Sequence, residues 1–289
     1  MSDKLSAVIA LGFFDGVHKG HEKVIESAVA YAKQNNALPV AFTFLGNLKG
    51  VFKKGETTLF SVEERERALK EKGVIEIIYA PVSDEFLSMD RRAFLDFLCD
   101  RYTVIGYSAG EDYRFGKGGL GDIGYLEEYA KERGQKVIIA SKVEVDGERV
   151  STTKIKEYLS AGEVEKANAM LGRAYSYSGT VRHDRSVGSK LGYPTVNFSD
   201  VNIPLKQGVY AGEVKIDGKT YGAIINYGKR PTFDLDEVRL EAHVIDFNGD
   251  LYGKTVTVEF KKYLRDVKKF DSADQLKEQL KKDLESVKI

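Results

Sequence analysis

Two of the four histidines in this 289-residue chain, His18 and His21, stand three residues apart inside the glycine-rich run GFFDGVHKGH. Imidazoles donate hydrogen bonds and carry positive charge near neutral pH. The run follows a continuous apolar segment, SAVIALGFF, and precedes a helical pattern, EKVIESAVAYAKQNN, so it joins a first strand to a first helix. A helix N-terminus presents unpaired N–H groups and a positive dipole end, which attract phosphate. Residues three apart near that end share a face, and Gly12, Gly16 and Gly20 let backbone or ligand come close. The arrangement suits nucleotidyl transfer, in which a phosphate oxyanion attacks the α-phosphate of a nucleoside triphosphate and pyrophosphate leaves. Such a reaction needs positioning and charge stabilisation rather than a protein nucleophile. An exposed turn and a metal pair remain beside this reading. Helical metal pairs favour i, i+4 spacing with a further ligand, and the sequence offers no good third ligand.

The elements that must position this pair alternate in type. SAVIALGFF, LPVAFTFL, VIEIIYAPV, TVIGYSA and QKVIIAS read as buried strands, with helical patterns between them. One of these, SVEERERALKEKG, opens on a capping box from Ser61 to Glu64. Continuous apolar strands alternating with helices predict a parallel sheet covered on both faces. The rhythm then breaks. VEVDGERVS predicts a hairpin with an Asp-Gly turn, and STTKIKEYLSAGEVEKANAMLG predicts two short helices split near Gly162. From Ala174 the pattern is strand after strand, with a second Asp-Gly hairpin, which predicts a small antiparallel barrel or sandwich. The chain ends on a helix with Leu276, Leu280 and Leu284 in one stripe and a capping box at Ser272 and Gln275. The boundary is expected near Gly172, giving modules of residues 1–172 and 173–289.

Composition narrows the function classes. Lys+Arg and Asp+Glu are both 44, which weighs against a broad nucleic-acid or anionic-membrane surface. No apolar run approaches the length of a membrane span, and the N-terminus lacks a signal-peptide pattern, so a cytoplasmic protein is expected. Cys99, the single cysteine, reads as a core thiol in an apolar helix. The oligomeric state stays open.

The motifs in order carry a resemblance. GFFDGVHKGH resembles the signature of the HxGH nucleotidyltransferases, in the form used by bacterial bifunctional riboflavin kinase/FAD synthetases. EDYRFGKGGLGD, VSTTKIKEYLSAGEVEKANAMLGR, LGYPTVNF, INYGKRPTF, LEAHVIDFNGDLYGK and LRDVKKFDSADQLKEQL resemble later blocks of that family, across nearly the whole chain. The resemblance implies an α/β plus all-β fold: a Rossmann-like nucleotidyltransferase domain, then a riboflavin-kinase-like β-barrel closed by a C-terminal helix. It implies phosphorylation of riboflavin by ATP to FMN, then adenylylation of FMN by ATP to FAD and pyrophosphate, both with Mg²⁺. An alternative is that only the adenylyltransferase is active and the barrel binds flavin.

By the same resemblance, His18 and His21 lie over the ATP phosphates, with Gly12, Asp15 and Gly16 close to the nucleotide. Ser151, Thr152, Thr153 and Lys156 hold pyrophosphate; Arg114 and Lys117 hold the flavin phosphate or ATP. No G-x-x-x-x-G-K-[ST] loop occurs, so the kinase must handle the γ-phosphate differently. Thr195 and Asn197, two apart on an extended segment, share a side, and the resemblance gives them the ATP phosphates and Mg²⁺, with Thr195 as metal ligand. Glu241 is the implied base, and alternation places Leu240, Ala242 and Val244 on the opposite face from it. Three departures stand out: Lys156 where Arg is common, no His-Pro after Phe44, and Ser189 where Arg is usual, for which Lys190 or Arg185 is a substitute. His183 and His243 read as structural or peripheral.

Overall fold

The computed structural model describes residues 4–45, 57–181, 195–199, 201–229, 238–268 and 273–285. The chain divides into two compact units, between Thr152 and Thr153.

In the first unit, β1 (Ser6–Leu11), β2 (Leu38–Leu45), β3 (Glu76–Pro81), β4 (Thr103–Gly110) and β5 (Lys136–Ala140) form one sheet in the order β3-β2-β1-β4-β5. Every pairing is parallel. The strands read as unbroken apolar runs because both faces are covered. Val8 and Ala10 pack with Val24, Ile25 and Ala28 of α1 (Lys19–Gln34) on one face. Ile9 and Leu11 pack with Phe94, Leu95 and Leu98 of the helix Arg91–Arg101 on the other. Between β1 and β4 the chain order reverses, and ligands of open α/β sheets bind at the carboxyl ends of the strands flanking such a point.

The shorter helices follow local signals. α2 (Val62–Glu71) starts on the expected capping box, with the Ser61 hydroxyl accepting from the Glu64 N–H and the Glu64 carboxylate from the Ser61 N–H. α3 (Asp84–Leu87) and α4 (Arg91–Arg101) are capped by Ser83 and Asp90. α5 (Ile123–Glu132) is capped by Asp122. The hairpin β6 (Glu144–Val145) and β7 (Glu148–Arg149) turns at Asp146 and Gly147, with φ of 52° and 76°. Two positive φ values are what a type I′ turn requires.

Two helices open the second unit: α6 (Thr152–Ala161), which begins at the division, and α7 (Val164–Leu171). Gly162 has φ of 84° between them. α7 packs on β8 (Tyr175–Thr180) and β13 (Thr255–Arg265). The helical pair thus groups with the strands that follow it, whereas the sequence reading put the boundary after it, near Gly172.

The strands are β8, β9 (Thr195–Phe198), β10 (Gly208–Ile216), β11 (Lys219–Lys229), β12 (Val238–Val244) and β13. They make one antiparallel sheet in the order β8-β13-β10-β11-β12-β9. The second Asp-Gly turn, Asp217 and Gly218, also has positive φ at both residues. Register shifts bend β10 against β13. The sheet curls until its edge strands meet through Tyr177 and Phe198, whose rings lie 5.2 Å apart edge to face. Leu240, Ala242 and Val244 are all fully buried, as the alternation requires. The closing helix α8 (Ala273–Glu285) is pinned to the end of β13 by Arg265, which donates to both carboxylate oxygens of Asp283. The capping box at Ser272 and the side chains of Leu276 and Leu280 fall outside the described residues.

Candidate active sites

The signature run of the first unit folds into the loop from β1 to α1. His18 is the N-cap of α1, and its Nδ1 accepts the backbone N–H of His21 at 3.2 Å. In the neutral ring this puts the proton on Nε2, making that atom the donor. The two imidazoles stack, with centroids 3.7 Å apart and planes at 11°. Phe14 meets His21 edge-on at 5.3 Å. A side chain at position 20 would crowd the pair, since a Cβ there would sit 3.2 Å from the His18 ring. Phe14 and Val17 hold φ of 48° and 39°, values uncommon for residues with side chains.

His18 and His21 open onto a cavity of about 720 Å³ at the carboxyl ends of the strands, beside the point of strand reversal. Gly12, Phe13 and Phe14 contribute to it after β1, Gly110 to Arg114 after β4, and Ser141 to Val143 after β5. One wall is aromatic and apolar: Phe13, Phe44, Phe86, Phe94 and Met89. The rim is charged. Arg149 pairs with Asp112 and Lys142 pairs with Glu111, so two ion pairs join the segment after β4 to the segment after β5.

Asp15 does not line this cavity. It is fully buried, and its Oδ1 accepts the Leu59 N–H at 2.9 Å, fastening the signature loop to the segment leading into α2. Arg65 of α2 is buried too. Burial pulls its pKa down and the Asp15 charge pulls it back up. Its Nη1 donates to the Phe44 carbonyl at 3.3 Å, and its guanidinium lies 5.6 Å from the centre of the Phe13 ring. The Thr43 hydroxyl donates to the Phe13 carbonyl at 2.6 Å. The residues under the cavity wall are therefore clamped from three segments.

Of the other expected residues, Gly12, Arg114, Ser151 and Thr152 line the cavity, while Gly16 and Lys117 do not. Arg114 is bridged to Asp122 at 3.0 Å. Thr153 and Lys156 stand on α6 in the second unit. Lys190, with Arg185, Ser189 and His183, lies outside the described residues. The sequence reading missed the aromatic wall and the rim residues Glu111, Asp112, Lys142 and Arg149. Glu111 and Asp112 directly follow β4, and that position at a strand's carboxyl end is a signal that was present.

In the second unit, Thr195, Asn197 and Glu241 come together. Asn197 of β9 lies directly opposite Glu241 of β12, and Thr195 opposite His243. The Asn197 amide donates to the Thr195 hydroxyl at 3.3 Å. On the other side Glu241 faces Asn226 of β11. Asn197 is 4% exposed, and its Oδ1 has no hydrogen-bond partner among the described residues. Burial pulls the His243 pKa down.

A parallel α/β unit with imidazoles at its switch point, followed by a curled antiparallel unit with a polar row on one face, defines a two-unit transferase. The family model described as FAD synthetase matches residues 1–154, and the model described as riboflavin kinase matches residues 171–289. The chain belongs to the family of bifunctional riboflavin kinase/FMN adenylyltransferases. It is 33% identical to the family protein of Buchnera aphidicola, over 98% of this chain and 93% of that one. It is 32% identical to that of Listeria monocytogenes, over 96% and 90%. A crystal structure titled as a macrolide-efflux protein from Streptococcus pneumoniae superposes with a TM-score of 0.87 at 33% identity, covering 99% of this chain and 94% of that one. Among the described residues, no helix of the present chain is long and apolar enough to cross a membrane.

Proposed function

We propose that the chain makes FAD from riboflavin in two ATP-dependent steps, with each compact unit carrying one of them. The observation that carries the adenylylation assignment is the stacked His18–His21 pair opening onto a large cavity with an aromatic wall. The wall offers stacking surface to a flavin ring, and the imidazoles face the phosphates. A phosphate oxygen of FMN attacks the α-phosphorus of ATP; the bond from that phosphorus to the β-phosphate oxygen breaks, and pyrophosphate departs with the electron pair. His18 donates through Nε2 to charge growing on the phosphates. Arg149, Ser151 and Thr152, which line the same cavity, supply further donors. Asp15 acts as a buried fastener of the loop rather than as a nucleotide contact.

In the barrel, Glu241 takes the proton of the riboflavin 5′-hydroxyl as its oxygen attacks the γ-phosphorus of ATP and ADP leaves. Thr195 and Asn197 fit Mg²⁺: they are hard oxygen donors, and the buried Asn197 Oδ1 has no hydrogen-bond partner among the described residues. When bound, Mg²⁺ screens the charge of the ATP phosphates. The polar row in the barrel favours both activities over a barrel that only binds flavin. The division of function follows the two compact units, and a cytoplasmic location suits an enzyme that draws on ATP.

Incubation with riboflavin, ATP and Mg²⁺, with chromatographic separation of riboflavin, FMN and FAD, tests the assignment. The double change His18→Ala with His21→Ala is expected to stop at FMN. Asn197→Ala is expected to block FMN formation while leaving FMN-to-FAD conversion intact. Loss of both reactions in each folded variant would show that the two-site assignment is wrong.

A further inference from the structure

The row across β10, β11, β12 and β9 reads Val209, Asn226, Glu241, Asn197, each residue directly opposite the next. Directly paired residues of an antiparallel sheet share a face. Asn226 therefore stands beside Glu241 on the side away from Asn197. Its Oδ1 is enclosed and accepts no hydrogen bond among the described residues. A buried carbonyl oxygen left unsatisfied is unfavourable, and such groups in a folded protein call for an explanation. Its neighbour gives none, because an ionised carboxylate accepts and cannot donate. The row thus holds two enclosed amide oxygens with a carboxylate between them, and that carboxylate can donate to neither.

Two kinds of ligand would satisfy it: a cation, or a chain of hydroxyls. Mg²⁺ demands ligands converging at about 2.1 Å in near-octahedral geometry. Asn226 and Asn197 are separated by the whole of β12, with neighbouring strands about 4.8 Å apart. Acceptors spaced along a line match a ligand that donates at several points along its length. Resting on the kinase reading above, we propose that Asn226 Oδ1 accepts a hydrogen bond from a ribityl hydroxyl of riboflavin next to the one Glu241 deprotonates. Asn226 is then a riboflavin-binding residue that sets which hydroxyl reaches Glu241.

The test uses the full chain. Asn226→Leu keeps the approximate shape and removes the acceptor. Because the native oxygen has no partner to lose, the variant is expected to fold with an unfolding temperature equal to or above that of the wild type. Its kcat/KM for riboflavin should fall about tenfold, with the KM for ATP, the Mg²⁺ activation constant and FMN-to-FAD conversion unchanged. Asn226→Asp, which keeps an acceptor oxygen, should recover part of the loss. Riboflavin analogues lacking one ribityl hydroxyl identify the donor: one analogue should cost the wild type the same factor and Asn226→Leu nothing further. An unchanged kcat/KM for riboflavin overturns the inference. So does a shift confined to the Mg²⁺ constant, or a loss that merely tracks a lowered unfolding temperature. A wild-type chain that forms no FMN would instead sink the kinase reading, and this inference with it.

Discussion

The His18 and His21 rings stack 3.7 Å apart, the His18 Nδ1 accepts the His21 N–H, and Gly20 places no side chain against the His18 ring. The helix cap and the ring pair are one structure. Gly20→Ala puts a methyl 3.2 Å from the His18 ring, so the ring must give way. The contact calls for a shift of a few tenths of an ångström, well short of the roughly 1 Å misplacement that costs about a hundredfold. FAD formation from FMN is expected to fall by about 3- to 10-fold, while riboflavin phosphorylation holds. Steady-state assays of the two reactions on one preparation check this; equal loss of both would count against it.

Asp15 and Arg65 bear on stability. Asp15→Ala leaves the Leu59 N–H without its acceptor and Arg65 without the charge that favours its ionised form. Leaving a buried donor without its acceptor costs about 1–3 kcal/mol. The expected result is a first unit that unfolds at clearly lower temperature, while kinase activity survives heating as in the wild type. Thermal inactivation followed separately for the two reactions measures it.

The rim gives a prediction of opposite sign. Asp112 neutralises Arg149 at the cavity mouth. Both side chains are about half exposed, so their pairing is worth about 0.2–1 kcal/mol. Asp112→Asn frees Arg149 for an anion, and the KM for ATP in FAD formation should drop by up to about fivefold. The effect should fade with added salt. A rise in that KM would show that Asp112 serves the nucleotide directly.

His243 predicts a pH dependence. Burial lowers its pKa from the ordinary 6.5. Below 6.5 the unfolded chain binds a proton that the folded chain does not, so acidification favours unfolding until the lowered folded value is passed. Above 6.5 this group contributes no slope. Unfolding of the barrel, read by kinase inactivation, should grow easier from pH 6.5 downward, and His243→Gln should flatten that part of the profile.

Parts of this were legible from the residues. The histidine pair was readable because helix caps and i, i+3 faces are local. The exposed side of β12 was readable because Leu240, Ala242 and Val244 alternate with Glu241. Both Asp-Gly turns were readable from turn chemistry alone. The bond that buries Asp15 was not readable, because its partner, the Leu59 N–H, arrives from 44 residues away. Phe44 lies in a segment that reads as a buried strand, since an apolar cavity wall and a core face have the same composition. Asn226 carried no periodic signal, and only the register of β11 against β12 sets it beside Glu241.

Phe14 and Val17, with their left-handed backbones, have a last consequence. Such residues persist only where their surroundings over-determine them, and here a buried aromatic side chain and the clamps beneath it do so. The loop carries this tension before any nucleotide arrives. Under the proposed assignment, triphosphate binding meets a loop already shaped, the entropy of shaping it having been surrendered when the polypeptide folds.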